Sequence, residues 1–214
     1  RRIKTRASGA TQNRSIINEF DANPSMSNIN AKASGGTNAY GIFNNVSSPT
    51  MKEVTAVATD GTSINYAIYN STSSPSMSNI IAMASSASGS VCMGVYNSTS
   101  SPLMNNVNAT ASGCMDNRGV RNYYSSSPIM TNVIASASGG TYNRGVLNEV
   151  SATVTIRSST LEGTTYSVFT DATSTAKISS STLIGGAGGT TANNCVYVAD
   201  ENNNALDANC LPIP

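Results

Sequence analysis

The chain contains neither histidine nor tryptophan. Lack of histidine removes the commonest general base and the commonest metal ligand together. Charge is scarce too: Asp, Glu, Lys and Arg make up 11% of the 214 residues, against roughly 25% in ordinary soluble domains. The 12 basic and 11 acidic residues leave a formal charge of +1, so neither a basic nucleic-acid footprint nor an acidic tail is present. No apolar run approaches the roughly 18 residues of a membrane-spanning helix. No signal peptide is visible and the first residue is Arg1 rather than Met. The expectation is that an upstream segment has been removed or left out.

Ser, Thr, Asn, Ala and Gly occupy the space that charge vacates. Disordered chains combine high charge with few β-branched residues. This one has little charge and a regular supply of Val, Ile and Met, so a core can form if the spacing allows. The spacing is periodic. Pro24, Pro49, Pro75, Pro102 and Pro128 follow one another at steps of 25, 26, 27 and 26. Two residues after each stands Met26, Met51, Met77, Met104 or Met130, and three further on Ile29, Val54, Ile80, Val107 or Val133. Alanines then alternate, at Ala31, Ala56, Ala82, Ala109 and Ala135 and again at Ala33, Ala58, Ala84, Ala111 and Ala137. Alternation marks a strand with one buried face. A second strand recurs as Gly41-Ile42-Phe43-Asn44, Ala67-Ile68-Tyr69-Asn70, Gly94-Val95-Tyr96-Asn97, Gly119-Val120-Arg121-Asn122 and Gly145-Val146-Leu147-Asn148. Ser/Gly/Asn-rich turns such as Ala33-Ser34-Gly35-Gly36 separate the strands, glycine supplying positive φ.

Helical repeats are excluded because the apolar residues alternate and the polar filler is poor in helix interiors. The pattern predicts an all-β parallel solenoid with about 26 residues per coil, three short strands per coil and roughly eight coils, stacked at ~4.8 Å into a rod on the order of 40 Å long. One continuous solenoid is expected over 1–214: regular coils over 1–150, shorter ones over 151–192, where the step falls to 22, and a closing segment over 193–214. Ile3, Thr5 and Ala7 match Ile29, Ala31 and Ala33, so the chain is expected to start inside a strand, with coils continuing upstream or an open edge meeting another subunit.

Asn44, Asn70, Asn97, Asn122 and Asn148 would stack into a hydrogen-bonded ladder, or else merely tolerate a turn conformation. The Met column reads as core filler. Cys195 and Cys210 flank a polar loop, and a bridge between them would stabilise by about 3 kcal/mol on the loop-entropy account. Cys92 and Cys114 would bridge neighbouring coils if their Cα atoms approach to about 5.5 Å; the alternative is two buried thiols. Asn-x-Ser/Thr sequons occur at Asn13, Asn45, Asn70, Asn97 and Asn108, a weak signal in a chain of this composition. Ser71–Ser74 and Ser98–Ser101 are polar turns or sites for O-linked sugar. Tyr40, Tyr66, Tyr123, Tyr124 and Tyr142 either pack against neighbouring coils or form an exposed sugar-stacking stripe.

The Gly-Val-Tyr-Asn strand, the Ser-Pro-x-Met-x-Asn-Val strand and the Ala-Ser-Gly-Gly turn together resemble the right-handed parallel β-helix superfamily of pectate-lyase-like fold. The likeness is greatest to bacterial secreted or cell-surface repeat proteins of that kind, and residues 195–210 look like their closing segment. The resemblance implies a right-handed single-chain β-helix. Its lyases and hydrolases depend on Asp clusters and a basic residue, and that pattern is missing. Asp60, Asp116 and Asp171 read as isolated turn residues, and Arg118, Arg121 and Arg144 as a small basic patch, solvated or facing an anionic sugar. A fold of this kind carries many unrelated activities.

The leading expectation is a non-enzymatic, extracellular or cell-surface structural solenoid with no cofactor, metal or nucleic acid. It would be a subunit of a filament, stalk, sheath or surface layer that assembles with its own copies through solenoid ends or walls. A carbohydrate-binding adhesin or phage-tail-type module bound to surface polysaccharide ranks second. A polysaccharide lyase or hydrolase, and an ice-binding face, rank behind both.

Overall fold

The computed structural model describes residues 3–189 and 193–213. Six coils in succession each contribute a strand to either wall. These strands are β1 (Ile3–Ser8) with β2 (Gln12–Glu19), β3 (Ser25–Ser34) with β4 (Asn38–Asn45), and β5 (Thr50–Thr59) with β6 (Ile64–Ser71). They continue with β7 (Ser76–Ser85) and β8 (Val91–Ser98), β9 (Leu103–Ser112) and β10 (Asp116–Tyr123), and β11 (Ile129–Ser138) and β12 (Tyr142–Glu149). Shorter strands follow: β13 (Thr153–Arg157), β14 (Thr160–Gly163), β15 (Tyr166–Thr170), β16 (Thr175–Ser179), β17 (Thr182–Ile184), β18 (Ala187–Gly189), β19 (Asn193–Val196) and β20 (Ala199–Asp200). The first wall runs β1-β3-β5-β7-β9-β11-β13-β16-β19, and the second runs from β2 through β12 and β15 to β18. Every named strand pair is parallel, and no helix occurs among the described residues. The protein is an all-β parallel solenoid with roughly 26 residues per coil and about seven turns rather than the eight expected, because beyond β20 the chain forms only isolated antiparallel bridges, Ala199–Ala205 and Leu206–Pro212, and no further coil.

Register follows the repeat. Met26 pairs with Met51, Met51 with Met77, Met77 with Met104 and Met104 with Met130. After Met130 the column continues as Ile156, Ile178 and Cys195. These residues point inward, as do the β-branched and alanine columns, while Ile42, Ile68, Val95, Val120, Val146 and Val168 face them from the second wall. The alanines match a column of small residues opposite. A Cβ on Gly119 would lie 2.7 Å from the Gly145 carbonyl and 2.7 Å from the Ser136 nitrogen, so the two walls nearly touch there.

The expected three strands per coil arise in a specific way. In each regular coil the first-wall strand carries one residue with positive φ: Asn28, Glu53, Asn79, Asn106 or Asn132. That residue drops out of the cross-strand register, where Ser27 pairs with Lys52 and Ile29 with Val54 around it. A left-handed residue inside a strand turns the chain, so one long strand serves as two segments meeting at a bend. At Ser158 and Ser180 the same left-handed residue separates β13 from β14 and β16 from β17. The prolines sit in the turn before the bend, and their carbonyls accept from the next coil, as Pro24 does from Thr50 and Pro49 from Ser76. Lack of an N–H costs nothing at such a position.

A second left-handed column lies past the other wall, at Phe20, Val46, Thr72, Thr99, Tyr124 and Val150. Valine is poorly suited to this region, where the conformation costs ~1–2 kcal/mol and asparagine is better tolerated. Val46→Asn, at a position already exposed, is therefore expected to raise stability by about 1 kcal/mol. The gain would appear as a higher denaturant midpoint at unchanged slope, and a lower midpoint would contradict it.

Candidate functional site

The interior holds an uninterrupted amide ladder. Asn18 Nδ2 donates to Asn44 Oδ1 at 2.8 Å, Asn44 to Asn70 at 2.8 Å, Asn70 to Asn97 at 2.9 Å, Asn97 to Asn122 at 2.9 Å and Asn122 to Asn148 at 2.8 Å. Asn148 then donates to Thr170 Oγ1 at 3.2 Å. The ladder is thus one level longer at its start than the five asparagines expected, and a threonine hydroxyl receives its last donor. All donors point the same way along the rod, so each amide polarises the next. From Asn44 to Asn148 the five expected rungs are 0% exposed. A turn role alone would leave them accessible.

A second asparagine column, not expected from the repeat, runs beside the first. Asn13, Asn65, Asn117 and Asn143 are buried one turn away from the first ladder. Each amide folds onto its own preceding turn: Asn65 Oδ1 accepts from Gly61 N at 2.8 Å while its Nδ2 donates to Gly61 O at 2.8 Å. Asn117 does the same with Cys114, and Asn143 with Gly140. The signal was present as Asn-x₄-Asn: each of these residues stands five positions before a rung of the first ladder. Cys92 occupies this column between Asn65 and Asn117. It is bonded to Cys114 with Cα atoms 5.6 Å apart, so a disulfide fastens the one level where a cysteine replaces the turn-binding amide. Cys195–Cys210 is bridged as well, at a Cα separation of 5.3 Å, and no free cysteine occurs among the described residues. Two disulfides point to a non-reducing compartment.

Serines make further ladders. The backbone N–H groups of Ser47, Ser73 and Ser100 donate to the hydroxyls of Ser73, Ser100 and Ser126 one coil on. On the outside, Ser74 and Ser101 hydroxyls accept from Ser101 and Ser127 N–H groups. The Ser-Ser-Pro turns are therefore structural, with their second-layer hydroxyls already engaged. Of the sequons, Asn13, Asn70 and Asn97 are buried, while Asn45 is half-buried and Asn108 is exposed.

On the outside of the second wall, Tyr40, Tyr66, Met93 and Tyr96 form a separate apolar cluster with Phe43, Tyr69 and Tyr123 around it. Tyr69 and Tyr96 stack with centroids 4.8 Å apart and planes within 7°. Arg14 covers Tyr40 and Phe43 at one end, and Arg121 covers Tyr96 and Tyr123 at the other. The ring faces are thus largely occupied by one another and by guanidinium groups. Of the expected aromatics, Tyr40, Tyr66 and Tyr123 pack against neighbouring coils, whereas Tyr124 and Tyr142 remain exposed. The arginine patch is ion-paired. Arg118 binds Asp116, Arg121 binds Glu149 at 2.8 Å and Arg144 lies 3.5 Å from Asp116. Asp116 is consequently neither isolated nor in a turn, since it opens β10. Asp171 does lie in a turn and accepts from Val150 and Thr173 N–H groups. No group of three potential metal-binding side chains occurs among the described residues.

Burial pushes the Tyr40, Tyr66 and Tyr96 hydroxyls above the usual phenol range. A folded pKa above the unfolded one means the folded state holds the proton more tightly. Its contribution is complete below about pH 10 and is lost as pH rises further. Stability is expected to fall from pH 10 upward, and Tyr66→Phe to blunt that fall. Denaturant titrations at pH 9, 10 and 11 with phenolate absorbance alongside would show it. Equal losses in both proteins would contradict it.

Among the described residues no helix is long and apolar enough to cross a membrane. Comparison with protein-family models, with curated proteins and with solved structures gave no match.

Proposed function

We propose that the chain is a non-enzymatic structural solenoid, secreted or held at the cell surface, and that it serves as a rod subunit of a filament, stalk, sheath or surface layer. The observation that carries this reading is the unbroken amide ladder from Asn18 to Thr170, which links successive coils from inside. A site for chemistry needs groups left free to react, and these buried amides are spent on one another. The disulfides fit an oxidising location. The resemblance to secreted right-handed β-helix repeat proteins points the same way.

Electron microscopy over a range of concentrations, combined with incubation on a panel of polysaccharides, tests the reading. Rods that associate and leave every polymer intact are expected. Dispersed monomers at all concentrations would remove the assembly part, and release of cleaved sugar would overturn the non-enzymatic one.

One observation favours a second reading as an adhesin: Tyr142 is 47% exposed and offers a ring on which a sugar can stack. Glycans on an array should then bind the protein and lose that binding in Tyr142→Ala. An array at background would dismiss it.

A further inference from the structure

On the outward side of the first wall, past the bend, two columns run the length of the rod. One reads Lys4, Asn30, Thr55, Ile81, Asn108, Ile134, Thr160 and Thr182; the other reads Arg6, Lys32, Val57, Met83, Thr110, Ser136, Glu162 and Ile184. A third column, from Ser8 through Ser34, Thr59, Ser85 and Ser112 to Ser138, carries only hydroxyls. The middle of this face is uncharged and mixes hydroxyl and amide side chains with apolar ones, of which Ile81 is 44% exposed, Met83 40% and Ile134 47%. The charges stand at its ends. Lys4, Arg6 and Lys32 lie together at one end and Glu162 at the other, and none of the four has an ion-pair partner among the described residues.

We propose that this face pairs with a second copy of the chain, the two rods antiparallel about a two-fold axis that lies along the strands, midway between β7 and β9. The proposal rests on the self-assembling reading above and names the wall that does it. Two flat faces can meet about a two-fold in two ways. With the rods parallel, both sets of Lys4, Arg6 and Lys32 would crowd at one end. With the rods antiparallel, each column meets itself in reverse. Counting strands outward from the axis, β7 faces the partner's β9, β5 its β11, and β3 its β14. Lys32 then faces the partner subunit's Glu162, and symmetry makes the pair twice. Met83 falls opposite Thr110, Val57 opposite Ser136, and Ile81 lies one level from its own copy. No charge on these columns meets a like charge. The face is about 38 Å by 16 Å, roughly 600 Å² per partner, at the low end of stable interfaces. A reversible dimer of micromolar strength is the expected outcome.

Sedimentation velocity on the intact chain tests this with Lys32→Glu, Glu162→Lys and the double variant. Glu162 is exposed and Lys32 half-buried, and unchanged circular dichroism and melting would confirm that each variant is folded. The wild type should dimerise in the micromolar range. Each single reversal should weaken the dimer by roughly tenfold or more, because like charges then face each other twice, and the double variant should restore it. Self-association that ignores both reversals, or a double variant as weak as the singles, would overturn this face while leaving self-assembly intact. A wild type that stays monomeric at high micromolar concentration would overturn the dimer. If such a protein bound a polysaccharide instead, the face would belong to another occupant. The rod itself would stand or fall on microscopy.

Discussion

Asn97→Ala is expected to lower stability by about 4 kcal/mol. The side chain is a middle rung: its Oδ1 accepts from Asn70 and its Nδ2 donates to Asn122. Alanine strands both neighbours, each in a fully buried place. An unsatisfied buried polar group costs ~1–3 kcal/mol, two are created, and a small cavity is added. Water has no easy route in, since the rungs above and below fill the column. The ladder also predicts a gradient. Asn18→Ala removes only a first rung, which donates to Asn44 and is slightly exposed, and should cost only ~1 kcal/mol. Denaturant unfolding of both variants decides the matter. Similar small losses at the two positions would mean that the amides do not depend on one another.

Met104→Ala is expected to cost about 3 kcal/mol. Met104 is 1% exposed and stacked between Met77 and Met130. Truncating a buried methionine to alanine costs ~2–5 kcal/mol through lost transfer energy and the void left behind. The neighbouring methionines are flexible and will partly refill the space, which places the estimate in the lower half of that range. Met83 provides the control. It is the same residue type one coil earlier, but on the outer side of the wall, and Met83→Ala should change monomer stability by less than ~0.5 kcal/mol. The contrast tests inside against outside for a single amino acid. Equal effects would mean that the strand faces are assigned the wrong way round.

Much of the fold could be read in advance because inward columns must repeat. Methionine, valine or isoleucine, and two alanines recur at each level, since a core only as wide as two alanine columns and a glycine column admits little else. The asparagine rungs were legible for the same reason. The residues that turn the chain were harder to recognise. Asn28, Asn79, Asn106 and Asn132 announce a left-handed bend by type, yet Glu53 fills the same place. Val46 and Val150 adopt a conformation their side chains disfavour. Neighbouring coils hold them there: Val46 N–H donates to Ser71 O, and Val150 O accepts from Ser125 N–H. The second asparagine column was hidden by its gaps, at Ala39 and Cys92. Pairing of Cys92 with Cys114 depended on geometry that spacing alone leaves open. Whether the tyrosines pack together or line the surface depends on Met93 and the arginines around them, which no single strand reveals.

Residues about 26 positions apart lie directly over one another along the rod. Gln12 and Tyr142 are exposed and share an outer column, with Asn38, Ile64, Val91 and Asp116 between them. Spin labels at Gln12→Cys and Tyr142→Cys, with the native disulfides intact, report the distance across five strand spacings by double electron–electron resonance. Stacked coils predict a narrow distribution centred at about 24 Å for two sites far apart in sequence. A broad distribution, or one centred well beyond 35 Å (roughly seven spacings), would contradict it.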